Sequence, residues 1–256
     1  VCCFSRPVRA VTNTRIFARA LPGGRQALVY GMRLAIDEDV AMVLPIPVAA
    51  GTPEDGVSFV DLSGYPTLLD DLDRCAPEEQ VARGVGPQPA PRAKLVVQAV
   101  GAFEASFAPT VGDLDRLDER FRLPRAVWAA LPEVADRGFV VFKLRPEARG
   151  WLGRLVPAPA RDAHPMAFVF PSRAPDALFF PTLHVHDGAA HPTATFDHAL
   201  FWQGPTGGDR AAPPEVVARH VGFDRAAGLV APGAALERRT IRGEHPNRDV
   251  WVGGPP

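Results

Sequence analysis

The stretch that decides the fold is "TRIFARALPGGRQALVYGMRLAI", residues 14–36. Two runs rich in Ile, Phe, Val, Leu and Tyr flank Pro22-Gly23-Gly24-Arg25. Strand-forming residues on both sides of a glycine turn predict a β-hairpin. Working outward, "VAMVLPIPVA" at 40–49 is a third apolar run. Its Pro45 and Pro47 offer no backbone N–H, which predicts an edge strand or one leaving its sheet. "VSFVDL" at 57–62 predicts another short strand. "PTLLDDLDRC" at 66–75 spaces Leu68, Leu69 and Leu72 for a helix behind a proline.

Residues 76–93, "APEEQVARGVGPQPAPRA", have no periodicity and are dense in Pro, Gly and charge, which predicts a mobile loop or linker. Strand character resumes in "KLVVQAVGAFEASFAP" (94–109). "VGDLDRLDERF" (111–121) and "PRAVWAALPEVA" (124–135) predict two short helices, and "GFVVFKLRP" (138–146) a buried strand. After an irregular insertion at 147–163 come "HPMAFVFP" (164–171), "ALFFPTLHVHD" (177–187) and "TATFDHALFWQG" (193–204), three aromatic-rich strands. "PEVVARHVGF" (214–223) predicts a short helix and "DVWV" (249–252) a last strand. The sum is mainly β or α+β: antiparallel, sandwich-like sheets with a few short helices. The natural division is a β-rich part at 1–75, the loop at 76–93 and an α+β part at 94–256, or one continuous domain.

Formal net charge is −1, so no global field recruits nucleic acid. No run of 18 or more apolar residues spans a bilayer. Three cysteines, Cys2, Cys3 and Cys75, are too few for a disulfide scaffold, though Cys75 could pair with Cys2 or Cys3. The first residue is Val1, which fits a removed signal peptide or a trimmed end.

The chemistry concentrates in "PTLHVHDGAAHPTATFDH", residues 181–198, with four of the seven histidines. Alternate strand residues share a face, so His184 and His186 project together. With "DGAAHP" as the turn, a hairpin partner strand brings in His198 if position 198 faces 184. A one-residue slip substitutes Asp197. Three neutral imidazoles suit copper or zinc. Asp187, Asp197 or His164 would then support the ligands from behind. Cys2 or Cys3 could add a thiolate, which favours copper over zinc. Glu104 and Lys143, charged groups inside apolar strand runs, are candidate catalytic groups near such a metal, or a pair turned outward. His220 and His245 are expected at the surface.

"VCCFSRPV", "TRIFARALPGGRQALVYGMRL" and "VAMVLPIPV" together resemble an uncharacterised family of exported bacterial domains. Its pattern is Cys, Pro-Val, a strand pair, then Val/Leu-Pro-Ile/Val-Pro, matched over residues 2–48. The resemblance implies a periplasmic or extracellular setting and brings no catalytic residue. The sequence alone therefore predicts an exported metal-binding protein, a copper-dependent oxidase or oxygenase acting on a small molecule or peptide. The alternatives are a zinc-dependent hydrolase or lyase, and a non-catalytic structural or metal-carrying domain.

Overall fold

A computed structural model of the protein describes residues 3–76, 103–146 and 159–254. The first hairpin forms where the sequence predicts it. After β1 (Cys3–Phe4), β2 (Ala10–Leu21) turns through Gly23 and Gly24 into β3 (Arg25–Ala35). The two glycines have φ of 77° and 67°, a left-handed conformation that glycine adopts without steric cost. The chain continues through β4 (Val40–Ile46), β5 (Ser58–Val60) and helix α1 (Leu68–Cys75). Next come β6 (Phe103–Ala108), short 3₁₀ segments at 111–116 and 119–121, α2 (Arg125–Ala129), another 3₁₀ turn at 132–134 and β7 (Gly138–Leu144). The last third holds β8 (Arg161–Asp162), β9 (Met166–Pro171), β10 (Leu178–Phe180), β11 (Thr193–Gln203), β12 (Arg210–Ala212), α3 (Pro214–His220), β13 (Leu236–Pro246) and β14 (Val250–Val252).

Among the described residues these strands make two large sheets. One is antiparallel in the order β1-β4-β7-β6. The other runs β12-β13-β11-β2-β3-β9-β5, with β8 also on β3. All its pairings are antiparallel except β11 with β2. Both sheets draw strands from before and after residues 76–93. The 76–93 segment itself lies outside the described residues beyond Ala76, as does 147–158 of the later insertion.

The hydrophobic pattern explains the layering. Met42, Leu44, Val140 and Phe142 of the smaller sheet pack against Ile16, Leu28, Tyr30, Phe168 and Trp202 of the larger one, forming the core between the sheets. The other face of the larger sheet is covered by Leu68, Leu69 and Leu72 of α1 and Val217 of α3. The other face of the smaller sheet is covered by Leu114, Phe121, Val127 and Val134 from the helical turns. A strand buried on both faces needs no alternation, and every residue of β4 is buried accordingly. Mainly antiparallel, mainly β architecture with few short helices is the observed fold.

Two local expectations are corrected, and one is met in its second form. β4 pairs with β1 at Met42 and Val43, so it is not a plain edge strand. The chain does leave the smaller sheet after Ile46: the Ala49 N–H donates to the Pro171 carbonyl, and Val48 bridges to Ser172 just past β9 of the larger sheet. The region 111–135 forms mostly 3₁₀ turns, because helices this short gain too little from propagation to sustain α-geometry. The eleven-residue β13, "LERRTIRGEHP", was not expected: its charged side chains give no apolar alternation, yet it pairs with ten successive residues of β11.

Candidate functional site

The segment carrying His184 and His186 is held without being a regular strand. β10 stops at Phe180 and pairs with β14, not with β11. The expected hairpin of 177–187 with 193–204 is therefore absent, and His184 has no ladder register with His198. Side chains supply the missing ladder instead. Asn247 accepts the His184 N–H through Oδ1 at 2.6 Å and donates from Nδ2 to the His184 carbonyl at 2.8 Å and to that of His191 at 2.9 Å. Asp249 Oδ1 accepts the Leu183 N–H at 2.9 Å, and Thr182 Oγ1 donates to the Arg248 carbonyl at 2.9 Å. On the other flank, the Phe4 and Val8 N–H groups donate to the carbonyls of Val185 and His186. Every one of these bonds satisfies a backbone group that burial would otherwise penalise.

The segment keeps strand-like alternation, so Leu183 and Val185 enter the outer core under the smaller sheet while His184 and His186 turn the other way. There they meet His198 of β11. The His184 ring centroid is 4.7 Å from that of His186 and 5.1 Å from that of His198. Phe196, two residues before His198 and thus on the same face of β11, lies 4.6 Å from His184 and 5.1 Å from His198. Phe4 closes the other side, 5.6 Å from His186. The three imidazoles so cap one end of the core between the sheets, by a tertiary route and not by a hairpin.

All three rings are largely withdrawn from solvent. Burial holds His184 neutral, its pKa lowered to about 2, and that of His186 is lowered to about 4 by the same cause. His198, 3% exposed, is pushed well below the usual imidazole range, again chiefly by burial, with His184 and His186 among the lesser causes. The Nε2 atoms of all three are buried and lack a hydrogen-bond partner among the described residues. The Asp197 N–H donates to His198 Nδ1 at 3.1 Å, so the neutral ring carries its proton on Nε2. Among the described residues no group of three or more His, Cys, Asp or Glu side chains has the arrangement of a metal site. The rings are tilted against one another at 44° and 46°.

The remaining candidates are elsewhere. Phe4 faces His186, so its neighbour Cys3 points to the opposite side, fully buried with Val43, Leu183 and Val185. Cys3 is thus not a fourth ligand in this arrangement, and Cys2 lies outside the described residues. Cys3 and Cys75 form no disulfide. Cys3 is under the smaller sheet and Cys75 under α1 on the far face of the larger one, with both sheets between them. Asp187 is committed to its own turn, accepting from the Ala189 N–H at 3.1 Å and lying 2.8 Å from His191 Nε2. Asp197 projects from the opposite face of β11, where it accepts the Asn13 N–H at 2.9 Å and faces Arg242. Neither orients a cluster imidazole. His164 contacts the Pro165 carbonyl and lies near enough to Asp61 to lower that carboxyl's pKa, a lesser cause beside the Ser63 hydrogen bonds. His220 and His245 are exposed, as expected, although His245 stands edge-on to Phe196 at 5.8 Å.

Glu104 and Lys143 are register partners on β6 and β7 and pair with each other at 3.0 Å, with Arg145 on the second carboxylate oxygen. The Lys143 hydrogen bond and charge, then Arg145, hold the exposed Glu104 carboxyl below the usual range, the reverse of what a general base requires. These two are a surface ion pair. What sequence reasoning missed is the support for His184: Asn247, Asp249 and Arg137. An Asn between Pro246 and Arg248 carries no local signal of pairing with a backbone 63 residues away.

Cys75 gives a direct check on the packing. Its thiol donates to the Asp71 carbonyl at 3.2 Å, and burial, with Asp71 nearby, pushes its pKa up to about 11. At pH 8 roughly one molecule in a thousand then carries the reactive thiolate. Iodoacetamide should leave Cys75 unmodified in the native protein and alkylate it in urea, as read by peptide mass spectrometry. Prompt native alkylation at Cys75 would contradict the packing of α1.

No protein-family model matches the chain, and no curated protein does. Among solved structures the fold is similar to baculovirus P35, with 14% identity and a TM-score of 0.48 over 77% of this chain and 66% of that one. A mutated baculovirus P35 after caspase cleavage matches over 94% of this chain and 97% of that chain, at 11% identity and TM-score 0.46. P35 in a caspase-8 complex matches at 13% identity and TM-score 0.40, over 77% and 64% of the respective chains. Among the described residues no helix is long and apolar enough to cross a membrane.

Proposed function

We propose that the chain is a metal-binding protein whose single ion is held by His184, His186 and His198. The observation that carries this reading is the trio of buried Nε2 atoms in adjoining rings, none with a hydrogen-bond partner among the described residues. A buried polar atom left unpaired costs about 1–3 kcal/mol, and a shared cation offsets that cost for all three at once. Burial keeps the imidazoles neutral, the form that donates a lone pair. Binding requires the rings to turn until their nitrogens converge. For His198 to use Nε2, its proton must move to Nδ1 and the Asp197 N–H contact must break.

Three neutral nitrogen donors with no carboxylate suit copper or zinc. With Cys3 turned away, the thiolate argument for copper no longer separates the two. Oxidation by a copper centre, or hydrolysis by a zinc-bound water, is the enzymatic form of the proposal and needs a fourth, open coordination position. A closed site makes the ion structural.

The test is elemental analysis after dialysis against a slight excess of copper or zinc, followed by gel filtration. One equivalent is expected in the wild type and in His245→Ala, and far less than one in His184→Ala and in His186→Ala. A wild type that retains no metal, or full retention by both cluster variants, would overturn the proposal. The imidazoles would then be a dry part of the core.

A further inference from the structure

A second concavity lies on the opposite side of the smaller sheet from the histidines and is independent of them. It is a half-enclosed cavity of about 360 Å³ between β4 and the helical turns that cover it. Its floor and walls are apolar: Val43, Leu114, Phe121 and Leu123 are buried, and the half-buried Trp128 stands edge-on to Phe139 at 5.2 Å. This size falls in the range of small-molecule sites.

The mouth is not apolar. Asp115, Arg122 and Arg125 line it. Asp115 and Arg125 neutralise each other in an ion pair between the first 3₁₀ turn and α2. Arg122 is different: its Nε donates to the Leu117 carbonyl at 2.7 Å, which anchors the guanidinium, and among the described residues it is in no salt bridge. The mouth therefore carries one guanidinium with no salt bridge among the described residues, anchored through Nε, with Asp118 and Glu119 on the neighbouring cleft that it also lines. An apolar chamber with two aromatic walls and one anchored guanidinium at the entrance complements one kind of molecule.

We propose that this cavity binds a small aromatic anion, its ring between Phe121 and Trp128 and its carboxylate or sulfonate on Arg122. The guanidinium fork matches such a group through paired N–H donors. Face or edge contacts with the two aromatic walls favour an aromatic body over an aliphatic one of equal volume.

The probes are anilinonaphthalene sulfonate and its uncharged analogue phenylnaphthylamine, titrated by fluorescence against the full chain. The sulfonate should bind with one-to-one stoichiometry and a blue-shifted emission. Arg122→Gln should weaken the sulfonate about tenfold, the loss of one charge-assisted contact, and change binding of the neutral analogue less than about twofold. Val111→Trp, which enlarges a half-buried wall residue, should reduce binding of both probes while the melting transition stays cooperative. Equal affinity of wild type and Arg122→Gln for the sulfonate would overturn the anion part. Unchanged binding of both probes by a folded Val111→Trp, or no binding by the wild type, would overturn the site.

Discussion

Lowering the pH from 7 to 5 is expected to cost the metal-free protein about 6 kcal/mol of unfolding free energy, roughly 2 kcal/mol for each cluster imidazole. In the unfolded chain a histidine titrates near 6.5, so at pH 5 it takes up a proton. In the folded chain burial lowers His184 to about 2 and His186 to about 4, and His198 is lowered well below its usual value by the same cause. The unfolded state therefore binds more protons throughout pH 5–7, and stability is present above 6.5 and lost as the pH falls. A loss of this size is comparable with the whole stability of a typical domain, about 5–15 kcal/mol. Urea titrations in the presence of a chelator at pH 7, 6 and 5 measure the slope. His184→Phe, which keeps a ring against Phe196, should reduce that slope by about a third. A stability that stays flat across this range would mean the three rings are solvated and the cluster is not dry.

Removal of the Asp249 carboxylate should be nearly as damaging. Asp249 and Arg137 form an ion pair whose side chains are 5% and 10% exposed, and the second carboxylate oxygen accepts the Leu183 N–H. The Arg137 guanidinium also lies over the Phe179 ring at 5.1 Å. Asp249→Ala leaves a buried guanidinium without its counter-ion and a backbone N–H without its acceptor, a change that typically costs about 3–5 kcal/mol. Asp249→Asn keeps an oxygen for Leu183 and should cost less. The double replacement Arg137→Met, Asp249→Leu removes both charges and should recover part of the loss, because the penalty comes from the stranded charge. Denaturation midpoints of the wild type, Arg137→Met, Asp249→Leu and the double variant form a cycle. Additive losses in the double variant would show that the two side chains do not act as a pair. Since Leu183 precedes His184, Asp249→Ala should also weaken metal retention, linking the fold to the proposed site.

The strands of the fold were legible wherever local chemistry and burial agree. Residues 14–36 place β-formers on both sides of Gly23-Gly24, and these glycines take up the left-handed turn between β2 and β3 without steric cost, so the local sequence predicts the hairpin. β13 was illegible for the opposite reason. Its run of Arg and Glu gains strand structure from the β11 backbone beside it, and its buried charges find partners far away along the chain. Arg238 reaches the Ala76 carbonyl and Asp73, and Glu237 accepts the Gly207 and Gly208 N–H groups. The same division holds at the site. His-x-His alternation told which way His184 and His186 would turn, since period two is a property of extended backbone. That His198 meets them, that Cys3, Asp187 and Asp197 do not, and that Asn247 stands in for a strand were decided by tertiary structure. Each depends on which segments lie side by side, and side-chain amides and carboxylates can complete a backbone ladder from any distance along the chain.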